Sequence, residues 1–386
     1  MAGTDNALGG SKVLKLADFV DHQDGPFEWK NVIKTVRDLV TCIVTILEED
    51  NPENDIVRRG LIVLCFIGVS AEEGFATLQD ASATANAIVK VLREFADNAE
   101  IQSLGLDALI FLSEHHGQTI ASTIGGIHAV IVDAIKSHAT NTNVAISGIR
   151  LLGFLCQRKA HVIELIQAEG MTSIALALEH HQHHQDIAFR GCKMMAYMAY
   201  FSQARRVEVI PAILKTMQQH EHNVDVTTWG CATFVNLALS PSCQHGIVEA
   251  GGILVVCKAL ETNRNDQSLQ TFAIQALHNL VINGVSNMGL VQAWDNVGNV
   301  LTSLDASRDN LEMQRVGVNI LHVLTTRVEK IKESRERNAM VRALQRAIRI
   351  CPDDPNVRER GQEALILLGV PLQSSLQKVI GRMMRL

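Results

Sequence analysis

The chain repeats one pattern eight times at a spacing of about 43 residues. A small residue marks each copy: Gly60, Gly105, Gly148, Gly191, Gly230, Ala273, Gly317 and Gly361. The successive intervals are 45, 43, 43, 39, 43, 44 and 44 residues. Four positions after the mark every copy is apolar: Leu64, Leu109, Leu152, Met195, Phe234, Leu277, Leu321 and Leu365. The same holds four positions before it, from Ile56 to Val357, and seven after it, from Ile67 to Leu368. Positions −4, 0, +4 and +7 fall on one face of an α-helix. A strand, with its period of two, cannot produce that set. A fixed period of this length marks a helical solenoid, in which each repeat packs only on its neighbours. The expected fold is all-α, a right-handed α-solenoid of about eight repeats without β-sheet.

Composition fits stacked helices. Apolar residues make up 47 % of the chain and aromatics only 4 %, an aliphatic core. The net charge of −6 gives no global field favouring nucleic acid or an anionic membrane. No apolar run reaches membrane-spanning length. The opening MAGTDNALGGSK lacks the basic-then-apolar order of a secretory signal. The eight cysteines form no CxxC pair and sit mostly inside apolar helical patterns. They read as small core residues in a reducing compartment. The expected setting is cytoplasmic, with cytoskeletal, ciliary or nuclear sites as the other settings.

Three segments follow. Residues 1–30 read as a disordered tip and N-terminal capping segment, 31–371 as the solenoid, and 372–386 as a C-terminal capping helix or tail. Each full repeat shows three helical pieces, and the marked helix is the last of them. A short first piece ends in glycine, as in HGIVEAGG (245–252), and a second begins there, as in GILVVCKAL (252–260). Seven residues before the mark stand Asn98, Asn141, His184, Asn223, Asp266, Asn310 and Asp354, mostly good N-cap types. A small residue at the mark lets a crossing helix come close, which offsets a helix-propensity cost of roughly 1 kcal/mol. Between Gly191 and Gly230 the interval is one turn short. The linker FSQARRVEVIP therefore leaves no room for a full first helix.

These features resemble the armadillo-repeat family. The resemblance rests on EAGGILVVCKAL followed by LQTFAIQALHNLV (249–281), and on TTWGCATFVNLALS (227–240) and VIPAILKTM (209–217). It covers about residues 50–370. HEAT-type repeats are the nearest rival, and the separate first helix ending in glycine favours armadillo. In that family the third helix lines a concave partner-binding groove. Positions −1, +2, +6 and +9 of this helix, opposite the core, would then face the groove. In copies three to six they include Arg150, Phe154, Arg190, Lys193, Tyr197, Tyr200, Trp229, Asn236, Phe272, Gln275 and Asn279. Aromatics, Arg and Asn without dense Lys/Glu cover suit recognition. Import-receptor members repeat Trp at +2 and Asn at +6. Here +2 is never Trp, and Arg190 and Lys193 would repel a basic import signal. The resemblance is thus to the non-importin type.

Motifs for catalysis are missing: there is no P-loop, dinucleotide fingerprint, HExxH or GxSxG. The stretch EHHQHHQD (179–186) has helical ligand spacing but falls between two helices, and reads as a solvated polar loop without metal. His115-His116 reads as another helix end. The basic stretch 327–350, with Arg335, Arg337, Arg342, Arg346 and Arg349, reads as a solvated helical face. No enzyme activity and no cofactor are expected. The expected function is a protein-interaction scaffold or adaptor holding a partner segment in the groove. A structural subunit of a cytoskeletal or axonemal assembly is the alternative, and a transport receptor for non-standard cargo a third. The expected partner is a protein segment, extended or helical, with acidic and apolar residues. Asn236 and Asn279 would meet its backbone, and Arg150, Arg190 and Lys193 its acids.

Overall fold

The computed structural model describes residues 29–49, 52–70, 81–202, 206–282, 287–328 and 335–370. Most of the N-terminal segment (1–30) and all of the C-terminal tail (372–386) lie outside them. The described residues form helices and no β-strand, in an all-α solenoid. None of these helices is single-handedly long and apolar enough to cross a membrane.

Two columns of helices build the stack. One contains the marked third helices: Asn54–Ser70, Ala99–Thr123, Thr142–Leu155, Gln185–Phe201, Val224–Leu237, Gln267–Ile282, Leu311–Arg327 and Pro355–Leu367. The other contains the second helices: Trp29–Leu47, Ala81–Glu94, Ile127–Ser137, Gly170–His180, Ile210–Gln219, Gly252–Thr262, Val297–Ala306 and Arg337–Ile350. Each helix touches its counterparts one repeat away, and each second helix packs on the third helix of its own repeat. The aligned apolar positions supply the core. Leu109, Leu152, Met195 and Phe234 at +4 are fully buried, as are Leu112, Leu155, Met198 and Leu237 at +7. Ile56 departs from the pattern: it is 43 % exposed, and its neighbour Val57 takes the buried place.

The marked glycines sit where the two columns cross. A Cβ on Gly105 would lie 2.6 Å from Leu92, one on Gly148 2.6 Å from Ile135, one on Gly191 2.8 Å from Leu178, and one on Gly230 2.5 Å from Met217. In all four the opposing residue stands thirteen positions earlier on the second helix. The capping residues behave as expected. Asn98, Asn141, Asn223, Asp266, Asn310 and Asp354 accept backbone N–H groups of the first helical turn, and the imidazole of His184 takes the same place.

A second repeated bond joins consecutive repeats. The residue ending the second helix bonds a backbone carbonyl at the same end of the previous repeat. His138 Nε2 lies 2.7 Å from Ala96 O, His181 Nε2 2.8 Å from Ala139 O, and His220 Nε2 2.8 Å from Gln182 O. Asn263 Nδ2 donates likewise to Glu221 O at 3.1 Å. The histidines of 179–186 are thus not all solvated: His181 is a stitch and His184 a cap. The basic stretch is partly stitched too. Arg337 Nε donates to Leu368 O, and Arg346 pairs with Asp305 at 2.6 Å.

First helices vary. Lys159–Gln167, Pro241–Glu249 and Asn287–Asp295 are separate short helices. In copy five the described residues hold one 3-10 turn, Val207–Val209, in keeping with the missing turn of sequence. In copy two the third helix runs on to Thr123 without a break, so His115-His116 lie inside a helix, not at its end.

Two measurements test this account. Gly148→Ala should lower stability by about 1–2 kcal/mol, overpacking outweighing the gain in helix propensity. Gly153, in the same helix, faces open space, so Gly153→Ala should raise stability by about 0.5–1 kcal/mol. Urea unfolding of both variants reads the contrast. Burial holds the imidazoles of His181 and His278 below the ordinary value. Below about pH 6.5 the unfolded chain then binds more protons. Their stabilising contribution is full above that pH and is lost as pH falls through the folded-state values. The melting temperature should therefore drop between about pH 7.5 and pH 5. His181→Asn, which keeps the amide donor that Asn263 uses, should show a smaller drop.

Candidate partner-binding cleft

The third helices do not meet evenly. Those of copies three and four, Thr142–Leu155 and Gln185–Phe201, touch over a shorter stretch than their neighbours on either side. The first helix Lys159–Gln167 fills part of the gap. What remains is a cleft of about 580 Å³.

Five expected groove residues line it: Arg150, Phe154, Arg190, Lys193 and Tyr197. Arg158, Lys159 and Phe201 join them. Lining residues thus bring five cations together and no acid. The cations are held by different means. Arg190 Nε donates to Asp186 at 2.7 Å, one helical turn away. Lys193 Nζ lies 5.4 Å from the Trp229 ring centre and 5.9 Å from that of Phe189. Lys159 Nζ lies 5.8 Å from the Phe201 ring. Such contacts let an ammonium rest on an apolar surface without losing its charge. The Arg150 Nε is buried and has no hydrogen-bond partner. Near it, burial raises the Asp107 carboxyl above its usual range, while a hydrogen bond from Ser147 at 2.5 Å and the Arg150 charge oppose the rise.

The aromatics form two pairs, each with one member, Tyr197 or Phe201, lining the cleft. Tyr197 is 41 % exposed and lies 5.7 Å from Trp229, centre to centre. Tyr200 is 67 % exposed and meets Phe201 edge-on at 4.9 Å. Phe154 and Phe272 are half-buried and pack against the core.

The remaining six expected residues, Tyr200, Trp229, Asn236, Phe272, Gln275 and Asn279, do not line this cleft, and the last four lie further along the column. Asn236 Nδ2 donates to Ala196 O at 3.3 Å, and Asn279 Nδ2 to Val235 O at 2.9 Å. Both amides thus stitch one third helix to the previous one. Sequence reasoning missed Arg158 and Lys159 because they belong to the next repeat's first helix. The signal present was the basic pair directly after Gln157, at the end of the third helix.

Burial keeps the thiols of the core cysteines protonated. Burial pushes the Cys192 and Cys257 thiols up to about 12 and that of Cys231 higher still. Away from the cleft, one other cluster stands out: His128, His161 and Glu164 converge between two helices. The imidazoles are 33 residues apart in sequence, and no local motif links them.

No protein-family model matches the chain, and no curated protein matches it in sequence. Solved structures do match in shape. UNC-45 from Drosophila melanogaster aligns with 15 % identity and a TM-score of 0.67, over 91 % of this chain and 48 % of that one. A structure described as concerning a phosphorylation switch between cadherin and β-catenin aligns with 14 % identity and a TM-score of 0.60, over 88 % and 78 %. An engineered protein aligns with 19 % identity and a TM-score of 0.55, over 95 % and 97 %. At these identities the likeness speaks to fold: the chain has an armadillo-like helical repeat fold.

Proposed function

We propose that this protein is a non-enzymatic scaffold that captures an acidic, apolar-bearing segment of a partner protein in the cleft of copies three and four. The observation carrying this reading is the lining itself: five cations, no acid, and a rim of Tyr197, Phe154 and Phe201 around one opening. Clustered cations steer and select acidic partners, while exposed aromatics anchor them. Fold likeness to a β-catenin described together with cadherin supports a protein-binding role at the coarse level. Arg150, Arg190 and Lys193 would pair partner carboxylates. Asn236 and Asn279 retain a second amide hydrogen each and extend the surface along the column.

A selection from a random peptide display library tests the proposal. Peptides enriched by the wild-type chain should carry Asp or Glu beside apolar residues and bind less tightly as salt rises. Arg190→Glu with Lys193→Glu should weaken them at least about tenfold, a change of about 1.4 kcal/mol. Gly153→Trp, which puts bulk into open space at the cleft, should do the same while leaving the helical circular dichroism intact. Selected peptides without acidic residues, or binding equally well to both variants, would sink the reading. Asn236→Ala should cost about 0.5–1.5 kcal/mol of stability even without ligand, because its bond is internal.

A further inference from the structure

Copy three's second helix, Ile127–Ser137, and copy four's first helix, Lys159–Gln167, meet at three side chains. His128 comes from the second residue of the former. His161 and Glu164 come from the latter, three residues apart and hence on one face. His128 is 2 % exposed and His161 5 %, whereas the Glu164 side chain is 49 % exposed. Three of the four imidazole nitrogens are buried without a hydrogen bond: both of His128, and Nδ1 of His161. The remaining one, His161 Nε2, faces Ser122 Oγ at 3.5 Å. His128 Nδ1 is 3.0 Å from Glu164 Oε2, yet out of hydrogen-bonding alignment. Buried polar atoms without well-aligned hydrogen bonds call for an explanation, and here two of the three face the same carboxylate oxygen while His128 Nε2 has no partner.

We propose that His128, His161 and Glu164 bind a divalent transition-metal ion of the zinc type, with a fourth position open to solvent beside Glu164. One ligand atom from each residue lies within 4.8 Å of the others. Nδ1 of His128 and of His161 stand 3.0 and 3.8 Å from the carboxylate oxygen. Zinc bonds of about 2.0–2.1 Å in a tetrahedron separate ligand atoms by about 3.4 Å, between those two values. The rings lie 5.6 Å apart and within 20° of parallel. Coordination needs one imidazole to turn about χ2, a soft torsion. Two imidazoles and one carboxylate suit zinc, whereas calcium and magnesium prefer all-oxygen sites. A neutral imidazole nitrogen is the form that ligates. An ion here would tie two repeats together. It would also fix the helix that presents Lys159 and Val162 to the cleft.

Zinc titration of the chelator-stripped full chain, followed by calorimetry and by thermal melting, tests this. The wild type should bind one zinc ion tightly and melt higher when loaded. Co2+ should give the visible absorption of a tetrahedral site. Glu164→Gln alters a half-exposed side chain and should fold normally, as circular dichroism will check. It and His161→Gln should each weaken zinc at least about tenfold, as loss of a ligand requires. His180→Ala with His183→Ala removes exposed histidines of the 179–186 stretch and should leave the site unchanged. The proposal is overturned if the wild type binds no zinc. It is equally overturned if Glu164→Gln and His161→Gln bind as the wild type does, or if binding disappears in the His180/His183 variant.

Discussion

The crossing of second and third helices at a residue without bulk governs the rest of the structure. Two helices in van der Waals contact usually leave 8–10 Å between their axes, set by the side chains in between. At Gly105, Gly148, Gly191 and Gly230 the intervening side chain is gone, and Leu92, Ile135, Leu178 or Met217 occupies the space. The thirteen-residue register fixes where along each helix the crossing falls. Caps at −7 then recur in seven copies and carbonyl stitches at −10 in four. In copy six a fully buried Ala273 takes the place of the glycine, so one methyl is accommodated there.

Much of this was legible in the chain. The apolar positions, the caps, the small residue at the crossing and the shortened first segment of copy five depend on residues near one another in sequence. Local chemistry encodes them. Harder to read were features assembled across repeats. Lys159 enters the cleft from a helix that begins after the groove helix has ended. His128 meets His161 only because two helices of different repeats pack together. The continuous helix Ala99–Thr123 also escaped, since nothing between Glu114 and Thr123 stops a helix. Gly117 there lies against the Phe154 carbonyl, where a Cβ would come within 3.2 Å, so it serves close approach rather than termination. The histidines at 181 and 184 misled because a polar cluster between helices looks solvated until its hydrogen-bond partners are known.

Several candidate groove residues carry two duties. Asn236 and Asn279 hold neighbouring third helices together and are themselves partly exposed. Arg190 balances Asp186 while lining the cleft. Lys193 rests on Trp229 and Phe189. Such residues are held in place before any ligand arrives, which lowers the entropy cost of binding. The same coupling makes mutational data harder to read, because a lost stitch and a lost contact weaken binding alike. Gly153, where an added Cβ would meet nothing within 4 Å, is free of that ambiguity.

The uneven joint between copies three and four has a consequence for cooperativity. A solenoid unfolds as a row of units linked by nearest-neighbour couplings. Where third helices part to open the cleft, the coupling along that column is weakest. The row therefore contains a place at which its two halves can melt as separate blocks. Hydrogen exchange should show a step in protection between Thr142–Leu155 and Gln185–Phe201. A segment bridging the cleft, or an ion bridging Ile127–Ser137 and Lys159–Gln167, would strengthen that coupling and let the two blocks melt as one.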